Sequence, residues 1–211
     1  MTQAHNRLKQ DQENVLGYLA GTILLPYKTV TALKVDTNLS AVAVQMVLLN
    51  AVVIIMADIV LRVLSVHEQY GRSISTNIIA IIGIVLLYPA ELWVWLKVFG
   101  FQKQKIDVQA FIIMSYAFSI VFFLFNFVLE ITKSLSGKIG GEIESISLFF
   151  SMIFISYLCS ISLKIGLMKA LGLNLLSILV LTLVAVVIGV VLYIILHLTG
   201  IVVPTAMSVK T

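Results

Sequence analysis

The residues from Leu173 to Leu198 constrain this 211-residue chain more than any other segment, because about nineteen of them are Leu, Ile or Val. A bilayer core about 30 Å thick is crossed by a helix of about 20 mostly apolar residues. Each Leu, Ile or Val also favours insertion, by about 0.3–0.6 kcal/mol. The segment therefore predicts a transmembrane helix that inserts without help.

Four further apolar stretches precede this one, and 60% of the whole chain is apolar while only 11% is charged. A soluble domain carries about 25% charged residues, so this chain has too little polar surface to cover a water-facing globule. No alternating polar and apolar pattern of about ten residues recurs, which favours helices over a membrane barrel. We predict an all-α polytopic membrane helix bundle with five transmembrane helices, at about 39–66, 77–100, 108–131, 145–167 and 173–198.

The distribution of Lys and Arg predicts the orientation of the bundle. Five spans place the two termini on opposite sides of the membrane, and nine of the 14 Lys and Arg residues fall on the side of the N-terminus. Cytoplasmic connections are enriched in these residues, so we expect the N-terminus in the cytoplasm and the C-terminus outside. Residues 1–14 are predicted to be a polar tail without a cleavable secretory signal, and residues 199–211 a C-terminal tail.

The segment 15–38 is apolar but too short to span, and Pro26 interrupts it. Its apolar residues recur at helical spacings, which predicts one or two short amphipathic helices in the cytoplasmic membrane interface. The segment could be an entry ramp that anchors the first span or could pack back into the bundle. Alternatively it is a docking surface for a cytoplasmic partner or a curvature-sensitive wedge, with Pro26, Tyr27 and Lys28 as the candidate residues.

Polar residues at membrane depth are candidate functional residues by default. Asn50, Asp58 and Arg62 are spaced so that they share one face of the first span. Asp58 and Arg62 are predicted to form an ion pair within that helix; the alternative is a gate or relay built on them. Asn126 and Glu130 fall near the exterior end of the third span. A contact between Arg62 and Glu130 would tie the first span to the third.

Glu91 lies in the second span, two residues after Pro89. Three interpretations stay open for it. The carboxyl group could lie near the cytoplasmic interface, where Trp93 and Trp95 resemble an interfacial aromatic belt. It could instead pair with Lys164 inside the bundle, or it could handle an ion, a proton or a ligand.

The sequence contains no recognisable catalytic or metal-binding motif. HExxH, GxSxG and Walker A patterns are missing, and His5, His67 and His197 are too far apart in sequence to suggest a metal site. Cys159 is the single cysteine and is expected to be a small core residue. We therefore expect no enzymatic activity, no cofactor, no metal and no binding of nucleic acid.

Three segments resemble the Yip family, the Ypt/Rab-interacting five-span membrane proteins, and in particular its prokaryotic branch. They are LLPYKTVTAL at 24–33, FIIMSYAFS at 111–119 and ISLKIGLMKAL at 161–171, whereas the DLYGP-type signature of eukaryotic members is missing. The resemblance implies a non-enzymatic scaffold or organiser in a prokaryotic cell membrane, with a protein partner or a homo-oligomer. The alternative is a small transporter or channel component in which Glu91, Asp58 and Asn126 line a polar path.

Overall fold

The computed structural model describes residues 15–63, 74–136 and 141–198; the predicted tails, 1–14 and 199–211, lie outside them. The described residues form helices and short connections without a strand, which confirms the all-α bundle. A π-helical turn at Val94–Val98 and a 3-10 turn at Gln102–Gln104 separate two of the helices. The helices are α1 Val15–Leu24, α2 Pro26–Val35, α3 Leu39–Val63, α4 Ile74–Trp93, α5 Lys105–Ser136, α6 Gly141–Leu163 and α7 Leu167–Leu198.

Four helical stretches of the described residues are long and apolar enough to cross a membrane: Leu39–Ala57, Gln102–Leu129, Ile146–Leu163 and Leu167–Val191. They support a multi-pass membrane protein and correspond to the first, third, fourth and fifth predicted spans. Helix α4 with its π-helical turn covers most of the predicted second span. Most side chains in the first half of α4 lie outside the described residues, so the second predicted span, at about 77–100, stays a prediction.

The connection between α6 and α7 is shorter and lies earlier than the sequence suggests. Helix α6 ends at Leu163 because Lys164 takes a left-handed conformation, with φ of 55°. The Ser160 hydroxyl donates a hydrogen bond to the Ile165 carbonyl oxygen at 2.6 Å and closes this turn. Helix α7 then begins at Leu167, several residues before the predicted start at 173, since residues 167–171 are good helix formers.

Helix α5 is central, because α3 and α6 both pack along it, while α4 packs against α3 and α7. Many core side chains lie where α3, α5 and α7 begin and α6 ends, among them Met46, Phe111, Leu158 and Ala170. We call this end of the bundle, marked by Lys105 at the start of α5, the proximal end. It is the end for which the sequence predicts a cytoplasmic location.

Helices α1 and α2 form a hairpin that is fastened at the proximal end. The Tyr18 hydroxyl donates a hydrogen bond of 2.6 Å to Asp36 Oδ2, and burial together with this bond raises the pKa of Tyr18. Lys34 Nζ lies 2.7 Å from Asp107 Oδ1 of α5 and donates a 2.7 Å hydrogen bond to the Ser162 carbonyl oxygen of α6. The base of the hairpin is therefore bound to two helices of the bundle.

The hairpin lies lengthwise along α5. At its base Lys34 contacts Asp107, whereas Ile23 near its tip lines a groove together with Phe118 and Phe154. Asp107 and Phe118 are eleven residues apart, which is about 16 Å along a helix that rises 1.5 Å per residue. The tip at Leu24 and Leu25 therefore reaches well beyond the proximal end, towards the middle of the bundle.

Candidate functional site

A cavity of about 210 Å³ lies between α4, α5, α6 and α7. We call it the Glu91 cavity, because Glu91 contributes its one acidic side chain. Asn174 lies seven residues into α7 and Ser115 ten residues into α5, so the cavity is about 10–15 Å inside the proximal end. Its polar lining consists of Glu91, Ser115, Tyr116, Ser119, Asn174 and Ser177.

Helical spacing explains why these polar groups converge. Ser115 and Ser119 are four residues apart on α5, and Asn174 and Ser177 are three residues apart on α7. Positions separated by three or four residues share a helix face. Each helix thus presents a short polar stripe in an otherwise apolar sequence, and the packing of the helices places both stripes beside Glu91.

The hydrogen bonds of the lining leave acceptor atoms on two of its residues, Ser115 and Asn174, without a protein partner in the described part of the chain. The Ser115 hydroxyl donates to the Phe111 carbonyl oxygen at 3.0 Å, and Asn174 Nδ2 donates to the Ser156 hydroxyl oxygen at 3.2 Å. Ser119 accepts a 2.6 Å hydrogen bond from Asn50 Nδ2. The lone pairs of Ser115 and the side-chain oxygen of Asn174 have no such partner among the described residues.

Glu91 is half-buried and faces this cavity. Within the described residues its carboxylate has no hydrogen bond, and the ion pair that they contain joins Lys34 to Asp107. Lys164, the partner considered from the sequence, is exposed. Glu91 therefore lines the cavity and is not paired with Lys164 in the part of the chain that the structure describes.

Trp95 packs behind one wall of the cavity. It does not lie in an exposed interfacial belt, which is the location that the sequence predicts for it. Its side chain is completely buried, whereas that of Trp93 is 57% exposed. Its ring packs edge-on against Phe99 and Phe111, with centroids 5.0 and 4.9 Å away. The π-helical turn shifts the register after Pro89, and Trp95 is thereby fixed against Phe111, which lines the Glu91 cavity.

The other intramembrane candidates lie elsewhere. Asn126 is not among the residues lining the Glu91 cavity; it donates to the Phe122 carbonyl oxygen and accepts a hydrogen bond from Ser147, which joins α5 to α6. The side chains of Asp58, Arg62 and Glu130 lie outside the described residues. Neither the predicted ion pair nor the predicted contact between the first and third spans is therefore tested.

A second depression, which we call the aromatic groove, lies between α5 and α6 and has a volume of about 450 Å³. Ile23 of the hairpin closes one part of it. Its other walls are mainly Phe side chains, so it offers van der Waals contact and almost no hydrogen bonding. Among the predicted interface residues, Tyr27 and Lys28 are exposed on the hairpin, and Pro26 occupies the first turn of α2.

Sequence reasoning identified Glu91 but missed most of its neighbours. Ser115, Ser119, Asn174 and Ser177 each look unremarkable, and only the repeated spacing of three or four residues signalled two polar stripes. No group of three or more His, Cys, Asp or Glu side chains within the described ranges could hold a metal ion.

Comparisons of the chain with protein-family models, with curated proteins and with solved structures returned no match. The resemblance to the Yip family therefore stays a prediction from the three sequence segments.

Proposed function

We propose that this chain is a non-enzymatic membrane organiser similar to the Yip family, and that the α1–α2 hairpin acts as a wedge in one leaflet of the membrane. The observation that carries the proposal is the placement of the hairpin along one half of α5, with an apolar tip that the bundle does not cover. Leu24 at this tip is 75% exposed and Leu25 is 53% exposed. Such an element adds volume to one leaflet only.

The charges of the hairpin support this placement. Its base carries two polar contacts, Lys34 with Asp107 and the Tyr18 hydroxyl with Asp36, as a headgroup region requires. Lys28 is exposed two residues beyond Pro26, and a Lys side chain can extend along apolar surface to reach headgroups. Basic groups at this level also attract anionic lipids of the cytoplasmic leaflet.

We further propose that the proximal end faces the cytoplasm of a prokaryotic cell, with protein partners or further copies of the chain in the same membrane. Support comes from Lys97, Lys103, Lys105 and Lys169, which all lie near this end. A cysteine introduced at the exposed Gln104 should react with a membrane-impermeant maleimide only after the cells are broken, because the reagent then reaches the cytoplasmic face of the membrane. Labelling of intact cells would contradict the orientation.

Curvature sorting in single vesicles tests the hairpin directly. Cys159 is buried, so a Gln104→Cys variant labelled from outside reports only molecules whose proximal end faces outward. A wedge in the outer leaflet relieves packing defects that grow with curvature. We expect the protein density per membrane area to rise as vesicle diameter falls, in vesicles of phosphatidylcholine with an anionic lipid.

Two matched variants separate the hairpin from the rest of the surface. Leu24→Ser with Leu25→Ser should abolish the dependence on diameter, because the tip loses its apolar volume. Leu175→Ser with Leu176→Ser removes a similarly exposed leucine pair from α7 and should leave the dependence intact. The proposal would be overturned if the density of the protein with an unaltered hairpin did not depend on vesicle diameter. It would also be overturned if the two double variants showed the same dependence.

A further inference from the structure

We propose that the Glu91 cavity is a binding site for a protonated primary amine on a short carbon chain. The inference rests on the lining of the cavity and is independent of the role proposed for the hairpin. It assigns one class of ligand to Glu91. From the sequence alone, Glu91 could handle an ion, a proton or a ligand.

Charge is the first reason. Glu91 is the one charged group in the lining, so a ligand with a single positive charge matches it. An isolated carboxylate at membrane depth is costly, and an ammonium group supplies the missing counter-charge. A divalent cation such as Ca²⁺ carries one more positive charge than the single carboxylate of Glu91 neutralises, and Zn²⁺ prefers imidazole nitrogen and thiolate sulfur ligands that this lining does not contain.

Hydrogen bonding is the second reason. The Ser115 proton is already donated to Phe111, and Asn174 Nδ2 already donates to Ser156. The Ser115 hydroxyl oxygen and the Asn174 side-chain oxygen retain acceptor capacity, which adds to that of the Glu91 carboxylate. An alkylammonium group carries three donors and no acceptor, and these oxygen atoms can accept all three.

Shape and aromatic content are the third reason. A volume of about 210 Å³ is several times the roughly 30 Å³ that a water molecule occupies in the liquid, so the cavity has room for a ligand of several non-hydrogen atoms. The apolar part of the lining includes Ile155, Ile178 and Leu181, which suits a short alkyl chain. Phe111 and Tyr116 also line the cavity, and aromatic faces attract cations.

The amine could come from two sources that share this chemistry: a free small amine or the headgroup of phosphatidylethanolamine. Calorimetric titration of the full chain in phosphatidylcholine nanodiscs with n-butylamine at neutral pH tests the site, with empty nanodiscs subtracted. We expect saturable binding, and none at the same concentrations for n-butanol, which has the same carbon chain without the charge. Absence of saturable amine binding overturns the proposal.

Two variants probe the charge and the space separately. Glu91→Gln keeps the shape of the side chain and should weaken amine binding by about tenfold or more, the effect of losing roughly 1.4 kcal/mol. Ile178→Trp fills the cavity while Glu91 stays in place, and it should be tolerated because Ile178 is 53% exposed. It should also abolish binding. Unchanged affinity in both variants, with Cys159 still protected from thiol reagents, overturns the proposal.

Nanodiscs containing phosphatidylethanolamine identify the source of the amine. If the headgroup enters the cavity, the apparent affinity for n-butylamine falls in wild type in proportion to the content of this lipid. If the natural ligand is a free amine, the affinity is the same in both lipids. Each result supports the site, provided that binding in phosphatidylcholine depends on Glu91.

Discussion

Replacing Trp95 by Ala is expected to destabilise the bundle by about 3 kcal/mol, near the lower end of the range for removing a buried Trp or Phe from a core. The lower end applies because unfolded helices stay in lipid, so the loss is mainly of packing. The Trp95 side chain is completely buried and its ring contacts Phe99, Phe101 and Phe111. A cavity would open between the π-helical turn and α5.

The measurement uses the single cysteine of the chain. Cys159 is buried in α6, so a thiol-reactive dye reports thermal unfolding in detergent. Trp93→Ala is the matched control: Trp93 is 57% exposed, and its loss should change the free energy of unfolding by less than about 0.5 kcal/mol. Equal melting temperatures for the two variants would show that Trp95 does not support the core.

A methyl group added at Gly21 is expected to open the hairpin, at a cost of about 1–3 kcal/mol. A Cβ at this position would collide with Thr29 Oγ1 across the turn. Thr29 cannot move freely, because it is buried and its hydroxyl donates a 3.1 Å hydrogen bond to the Leu25 carbonyl oxygen. Amide hydrogen exchange should accelerate across α1 and α2 in Gly21→Ala and stay unchanged in α5.

Two further variants test whether the effect at Gly21 comes from the collision with Thr29. Gly17 lies one helical turn earlier and its added Cβ would meet open space, so Gly17→Ala should be neutral or stabilise α1 by up to about 1 kcal/mol through helix propensity. The double variant with Thr29→Ala removes the colliding hydroxyl and should restore part of the protection from exchange. Identical exchange in the Gly17 and Gly21 variants would mean that the two helices do not pack as closely as described.

The polar residues show which features of the site the sequence predicts and which it does not. Glu91 was recognisable as a candidate because a carboxyl group is rare in an apolar helix, but its partners were not. Asn126 and Glu91 looked equivalent in sequence as residues of a polar path; Asn126 instead joins α5 to α6 through Ser147, while Glu91 lines a cavity. Helical spacing defines which residues share a face, and helix packing defines what that face meets.

The segment 15–38 shows the same limit. Pro26 and the apolar spacing predicted short helices, and two helices are present. Their placement along α5 involves contacts between residues far apart in sequence, such as the ion pair between Lys34 and Asp107. An amphipathic pattern predicts helices with an apolar face, but it does not define which neighbouring helix that face packs against.

The sequence by itself determined that this chain is a helical membrane protein, because the cost of burying backbone and charge in lipid leaves few alternatives to long apolar helices. The distribution of Lys and Arg also predicts that the proximal end faces the cytoplasm. Only the tertiary structure decided that Trp95 is core while Trp93 is surface, and that Glu91 meets serines and an asparagine from α5 and α7. In a chain that is apolar on nearly every face, hydrophobicity no longer distinguishes inside from outside, so close packing and a few polar contacts decide these positions.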